Sequence, residues 1–415
     1  AWAQQQLGVA LSPSQREAVD ALLRAKVGVL TGGPGVGKTT LLRTLLAILR
    51  AKDVRVALAA PTGRAARRLA EATGLEARTL HRLLEVDPSR RGRGGFKRGV
   101  DAPLDCDLVV VDEASMVDIA LFAALLRAVP AHAALLLVGD ADQLPSVGPG
   151  RVLADVIASR VGVCVELREV FRQAAQSGIV RAAHAIHEGR MPAARDDETG
   201  DFFFVEANEP ERAAELVLAL VRERIPRRFG LDPRRDVQVL VPMHRGPLGT
   251  QRLNATLQAA LNPAAAGEAR IERGGVAFAP GDRVMQTEND YDKDVFNGDL
   301  GIVEAVDVEA HAIDVRFDGH ADAVGYERSE IDALALAYAI TVHKSQGSEY
   351  PAVVIALSTQ HFKMLDRRLV YTAVTRGRRL VVVVGQRRAL ELALERGGDQ
   401  PRHAKLREWL EAGEG

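Results

Sequence analysis

Residues 31–40 read TGGPGVGKTT, between the apolar run Val27–Leu30 and the periodic segment LLRTLLAIL. A buried strand, a glycine-rich turn and an amphipathic helix are written in that order, which commits this part of the chain to an α/β layer. Glycines at 32, 33, 35 and 37 let successive backbone N–H groups face one concavity, and the helix that follows adds the positive end of its dipole. Gly33, Pro34, Gly35, Val36, Gly37, Lys38, Thr39 and Thr40 therefore form a phosphate cradle. Lys38 supplies a point charge for the outer phosphates, and the Thr39 hydroxyl suits Mg²⁺. The pattern implies a bound nucleoside triphosphate, with ATP and Mg²⁺ as the expected cofactors.

The rest of the chain decides what such a nucleotide drives. The strand candidates Val27–Leu30, Val54–Ala60, Leu108–Val111 and Ala134–Val138 alternate with helical segments, as in a parallel sheet covered on both faces. LVVVDEASMVD ends a strand in two acids. Asp112 is expected to hold the metal and Glu113 to polarise water as a general base. In VGDADQLPSVGPG, Gln143 can both donate to and accept from water or a γ-phosphate. Arg172 in LREVFRQ and Arg376 in VYTAVTRGRR could stabilise charge across a domain cleft. The alternative is ordinary: strand-end acids in solvent and surface arginines.

A second α/β pattern follows, with strands expected at Val237–Val241, Ala339–Val342, Ala352–Leu357 and Leu380–Val384. Alternation and the turns Asn297-Gly298 and Asp318-Gly319 within 270–331 suggest an inserted small β-barrel. The stretch PSRRGRGGFKRG (88–99), rich in cations and glycine, suggests a hairpin inserted in the first domain. The expected division is 1–84 with 106–185 for the first domain, 85–105 for the hairpin, 186–269 with 332–415 for the second domain, and 270–331 for the barrel.

Composition narrows little. The 54 basic and 55 acidic residues nearly cancel, so a nucleic-acid surface must be local. Cys106 and Cys164 lack metal-ligand spacing, which fits a reducing cytoplasm. The pair His184 and His187 reads as helix surface. No signal pattern or apolar stretch of spanning length is present, and the missing initiator Met suggests a piece of a longer protein.

Taken together, the motifs resemble superfamily-1 helicases of the RecD-like group, over roughly residues 12–385. LSPSQREAV resembles the opening motif, in which Gln15 reads the adenine edge. APTGRAARRL and ARTLHRLL resemble motifs that hold single-stranded DNA, and VPMHRGPLGTQRLN, ITVHKSQGSEY and VYTAVTRGRRLV resemble those of the second motor domain. The resemblance implies two RecA-like parallel-sheet domains, an SH3-like barrel, Gly347 and Glu349 near nucleotide, and 5′→3′ movement on DNA. DNA contacts are expected from Pro61, Thr62, Gly63, Arg64, Arg67, Thr79, His81, Arg82, Phe96, His244, Arg245, Asn254, Thr341, His343 and Lys344. Their hydroxyls, amides and cations suit phosphates rather than bases, and the histidine rings suit stacking. Single-stranded DNA and its junctions with duplex are the expected partners. A monomeric motor is expected, and a subunit of a larger nuclease complex is the alternative. A metabolic P-loop NTPase does not explain the second domain, and a vestigial binding protein does not explain the intact nucleotide residues.

Overall fold

The computed structural model describes residues 8, 11–87, 95–169, 176–193, 200–263, 269–397, 402 and 404–413. The chain divides into one unit of Ala1–Ala175 with Asp399–Gly415, and a second of Gln176–Gly398.

The first unit is built on β1 (Val27–Thr31), β2 (Val56–Ala60), β3 (Ala77–Thr79), β4 (Leu108–Val111), β5 (Ala134–Gly139) and β6 (Val163–Glu166). They form one sheet in the order β3-β2-β4-β5-β1-β6, parallel throughout. Successive residues of each strand enter opposite layers, as a period of two requires. Val29, Val109, Val111, Leu135 and Leu137 pack with Phe122, Leu125 and Val152. Leu30, Leu108, Val110, Leu136 and Val138 pack with Leu22, Leu41 and Leu45. The apolar runs are thus the signature of strands buried on both faces.

The second unit begins with β7 (Phe202–Glu206) and β8 (Val237–Val241). An insertion carries the two-stranded ribbon β9 (Ile271–Arg273) and β10 (Val276–Phe278). It continues through β11 (Arg283–Gln286), β12 (Leu300–Asp307), β13 (Ala312–Phe317), β14 (Val324–Tyr326) and β15 (Leu334–Leu336), an antiparallel sheet ordered β14-β13-β12-β11-β15. The chain then adds β16 (Ala339–Thr341), β17 (Tyr350–Leu357) and β18 (Gly377–Gly385), giving a parallel sheet β16-β8-β17-β18-β7. The expected α/β architecture with a β insertion is present.

Buried polar groups fix the insertion to its host. Asp282 is fully buried and accepts from Gln258 Nε2 at 2.6 Å, Asn262 Nδ2 at 2.8 Å, Ala279 N at 2.8 Å and the Tyr338 hydroxyl at 2.9 Å. Gln258 and Asn262 lie on and just after helix Thr250–Leu261. Four donors from helix, insertion and return segment compensate a carboxylate that burial alone would penalise.

The observed boundaries differ from the expected ones at two places. Helix Gly178–His187 packs on helix Arg367–Val374, so the second unit starts at Gln176 rather than after 185. Residues 399–415 return to the first unit, where helix Leu406–Ala412 packs on helix Val152–Ser159. Leu406 and Leu410 join the first unit's core, a contact that a seven-residue helix does not advertise in sequence. His184 is half-buried rather than on the surface, and no group of metal-ligating side chains occurs among the described residues. No helix of the described residues is long and apolar enough to cross a membrane.

Candidate nucleotide and nucleic-acid sites

Parallel pairing sets the geometry of the nucleotide residues. Thr31 pairs with Gly139, and Val111 pairs with Leu137. The loops after β1, β4 and β5 therefore leave the same edge of the sheet, side by side, where open α/β sheets place ligands. Gly32 has φ +151°, and a Cβ there would lie 2.5 Å from Leu167 O. Gly37, at φ +89°, caps helix Lys38–Arg50 with no side-chain bond, leaving its first N–H groups to the cradle. Lys38 Nζ donates to Gly33 O at 2.8 Å and also to Gly32 O, curling back over the loop. Val36 is buried, whereas Gly35 and Thr39 are exposed and Gly33, Pro34 and Thr40 half-exposed.

Asp112 follows β4, and its Oδ1 accepts from Glu113 N at 2.9 Å. Burial, then the neighbouring Glu113 charge, hold the Asp112 carboxyl above its ordinary value, with Lys38 and Arg68 pulling the other way. Arg68 lies on helix Gly63–Thr73, and nothing local in the sequence links it to the acid. Glu113 occupies the left-handed region at φ +51°. That conformation costs an L-residue about 1–2 kcal/mol and turns the chain sharply between β4 and the short helix Ala114–Met116. Gly139 permits the same turn to pack on β5, since a Cβ would lie 3.2 Å from Ala114 N. Gln143 is buried, and its Nε2 donates to Asp140 Oδ2 at 3.1 Å. Asp140 also accepts from Asp142 N at 3.0 Å, so it holds the start of this loop.

Gln15 joins the site from helix Pro13–Arg24. Its Oε1 accepts from Ser12 N and its N–H donates to Ser12 Oγ, a reciprocal capping box. The amide nitrogen Nε2 is buried without a partner among the described residues. Gln15 lines a cavity of about 220 Å³ with Val36, Leu167 and Glu169. A base with an acceptor edge would satisfy that donor. Glu169 accepts from Ser14 Oγ at 2.9 Å at the cavity's rim.

The first-unit residues expected to meet DNA cluster at strand ends. Thr62 and Thr79 each cap a helix, accepting from Ala65 N at 3.2 Å and Arg82 N at 3.1 Å. Pro61, Arg64 and Arg67 are half-exposed, Gly63 is buried and Arg82 exposed. The inserted segment is a hairpin at its base: Val86 bridges Phe96, and Lys97 N donates to Glu85 O at 2.9 Å. Phe96 does not sit at a tip. It is half-buried against the core and tilted on His81, ring centroids 5.8 Å apart. The same burial lowers the His81 pKa. The hairpin's remaining residues 88–94, and Arg172, lie outside the described residues.

In the second unit, Asn254 is structural. Its Nδ2 donates to Leu336 O and Ala339 O, both at 3.0 Å, and its Oδ1 accepts from Ala339 N at 2.7 Å. The amide is engaged in tying its helix to the β15–β16 connection. Nearby, His244 Nδ1 lies 3.0 Å from Thr250 Oγ1, and Arg245 is exposed. Thr341 is buried and His343 half-buried. Lys344 Nζ donates to Asn297 Oδ1 at 2.6 Å, joining this motif to the Asn297-Gly298 turn of the insertion. Desolvation lowers its pKa.

Arg376 is buried. Its guanidinium donates to Thr372 O at 3.2 Å, Ser348 O at 3.1 Å and Thr375 Oγ1 at 3.2 Å. Gly347, at φ +73°, makes the turn into β17, and Glu349 pairs with Arg378 at 2.7 Å.

A phosphate loop on one parallel unit, followed by a second parallel unit with a small β insertion, defines a two-unit P-loop protein. Residues 10–203 match the family model of an AAA domain, 253–317 that of the ATP-dependent RecD-like DNA helicase SH3 domain, and 336–384 that of the UvrD-like helicase C-terminal domain. The ATP-dependent RecD2 DNA helicase of Deinococcus radiodurans is 42% identical, over 93% of this chain and 50% of its own length. The RecBCD enzyme subunit RecD of Mycobacterium tuberculosis is 35% identical, over 92% of this chain and 70% of its own. The chain belongs to this RecD-like helicase family, and it spans about half the length of the Deinococcus relative. A Bacteroides Pif1 helicase crystallised with ADP-AlF3 and single-stranded DNA shares the fold, with a TM-score of 0.57 at 20% identity over 93% of this chain and 94% of that one.

Proposed function

We propose that this chain is an ATP-driven motor that binds single-stranded DNA, moves along it 5′→3′ and unwinds duplex. The observation that carries the reading is the shared sheet edge: parallel register delivers the Lys38 loop, the Asp112–Glu113 pair and Gln143 to one place. Lys38 and the loop N–H groups take the phosphates, and Gln15 offers its unpaired amide donor to adenine. Mg²⁺ fits the donor set, because a cation beside Asp112 relieves the charge that burial and Glu113 penalise. Asp112 and the Thr39 hydroxyl would hold it, and it would neutralise phosphate charge. Glu113 orients water and accepts its proton, and Gln143 senses the γ-phosphate. Arg376 and Arg172 complete the charge stabilisation when nucleotide draws the two units together.

DNA is held through its backbone by the cap threonines, Arg64, Arg67 and Arg82 of the first unit, and by His244, Arg245, Thr341, His343 and Lys344 of the second. Binding is therefore independent of sequence and weakens with salt. The hairpin at 85–105 acts as the wedge at a junction. The free thiols Cys106 and Cys164 suit a cytoplasmic enzyme.

ATPase rates with and without single-stranded DNA test the reading. Marked stimulation by DNA of any sequence is expected, and a flat rate points to a P-loop NTPase with another substrate. Similarity to the mycobacterial RecBCD subunit favours a second reading, a motor within a larger complex rather than a monomer. Activity of the isolated chain separates the two.

A further inference from the structure

The loop after β5 is held at two ends by different parts of the chain. At its start Asp140 accepts from Gln143 and Asp142, as described. At its far end three carbonyl oxygens, of Ser146, Gly148 and Gly150, converge. Arg402 Nη1 donates to all three, at 2.6, 3.0 and 3.3 Å. Ser146 Oγ reaches the same Gly148 and Gly150 oxygens at 3.1 and 3.4 Å. Converging carbonyl dipoles repel one another, and a shared charged donor between them offsets that repulsion.

The surroundings leave this loop end no slack. A Cβ at Gly148 would lie 2.2 Å from Asp118 Oδ2, and Pro149 O accepts from Ile119 N at 3.0 Å. Gly150, at φ +91°, packs its Cα side against Ala404, where a Cβ would lie 3.6 Å from that side chain. Arg402 precedes helix Leu406–Ala412, whose Leu406 and Leu410 enter the first unit's core. The loop that carries Gln143 is thus completed by residues more than two hundred positions downstream, reached only after the chain has built the second unit.

We propose that Arg402 is a positioning residue for ATP hydrolysis: it fixes the Gln143–Gly150 loop and so sets where the Gln143 amide stands. The inference rests on Gln143 serving the γ-phosphate. It assigns a hydrolytic role to a residue of the segment 399–415. A displaced supporting loop typically slows chemistry more than it weakens ground-state binding.

The test compares the full chain with Arg402→Ala, Gln143→Ala and the double variant, measuring DNA-stimulated kcat, KM for ATP and Tm. Arg402→Ala is expected to lower kcat by about 10- to 100-fold with little change in KM. The double variant should be no slower than the slower single variant, because both act through one loop. A wild-type kcat in Arg402→Ala beside a slowed Gln143→Ala overturns the Arg402 role alone. A wild-type kcat in Gln143→Ala overturns the γ-phosphate reading and this inference with it. Losses that multiply in the double variant also overturn it. Should Arg402→Ala not fold, Arg402→Lys and Arg402→Gln replace it. An ammonium still suits three carbonyls, so kcat should fall in the order wild type, Lys, Gln at constant KM, and equal rates contradict the proposal.

Discussion

The backbone N–H of Glu113 donates to Asp112 Oδ1 across 2.9 Å, while Glu113 itself sits at φ +51°. The two acids thus occupy one tight turn, with Asp112 drawn into the protein beside a second negative charge. Its folded-state pKa is raised, so its contribution to stability is fully present below the unfolded value of about 3.9 and is lost as pH rises through the folded value. At pH 8 the ionised carboxylate is a cost that Asp112→Asn removes. The nucleotide-free variant should melt roughly 2–4 °C higher than wild type at that pH. The difference should close as pH approaches 4. Thermal scans across this range check it, and a gap that widens on acidification contradicts the assignment.

Lys38 and Glu113 should separate binding from turnover. Lys38→Ala removes the charge opposite the phosphates and should abolish both nucleotide binding and hydrolysis. Glu113→Gln keeps shape and binding but loses the base, and should slow turnover by about 10²–10⁴. Nucleotide titrations beside steady-state rates distinguish the two, and wild-type turnover in Glu113→Gln removes it from the base role.

Arg376 and Asn254 are both buried, hydrogen-bonded polar residues inside motifs, and the roles proposed for them predict different outcomes. Asn254→Ala strips partners from buried backbone groups of Leu336 and Ala339, and should cost about 1–3 kcal/mol of stability with DNA affinity intact. Arg376→Ala should depress kcat by up to about 10³-fold while nucleotide binding changes far less, and Arg376→Lys should fail too, lacking the planar fork. Denaturation curves, DNA titrations and ATPase kinetics on the three variants check both.

Much of this was legible in the primary structure because it is local. The glycine cradle around Lys38, the acids ending β4 and the Asn297-Gly298 turn are each specified by neighbours in sequence. The strand LVVV and the strand beginning Ala134 announce burial on both faces through unbroken apolar runs. What was not legible depends on distant partners. β3 is only three residues long and β6 is mostly exposed, so neither presents a core pattern. β7, FFFVE, is aromatic enough to read as a strand, but nothing adjacent announces its pairing with β18. Asn254 matches a DNA-contact motif by spacing, and only the folded β15–β16 connection shows that its amide is occupied. Phe96 belongs to a basic segment, yet the bridge from Val86 draws it to the hairpin's base.

Lys344 links the second unit's motif to the insertion through Asn297. In its proposed role as a phosphate contact, it should carry charge but no base preference. Lys344→Ala should weaken single-stranded DNA binding equally across sequences and reduce the slope of log affinity against log salt by about 1. Asn297→Ala frees the ammonium without removing it, so the slope should stay as in wild type. Titrations at several salt concentrations check both, and an unchanged slope in Lys344→Ala places this residue off the DNA path.

Strand displacement tests the central claim most directly. The chain is supplied with ATP, Mg²⁺ and duplexes bearing a 5′ tail, a 3′ tail or no tail, with Lys38→Ala as the inactive reference. The account predicts ATP-dependent separation of the 5′-tailed duplex, little on the other two, and none with the variant. DNA-stimulated hydrolysis with no strand separation on any duplex would contradict it.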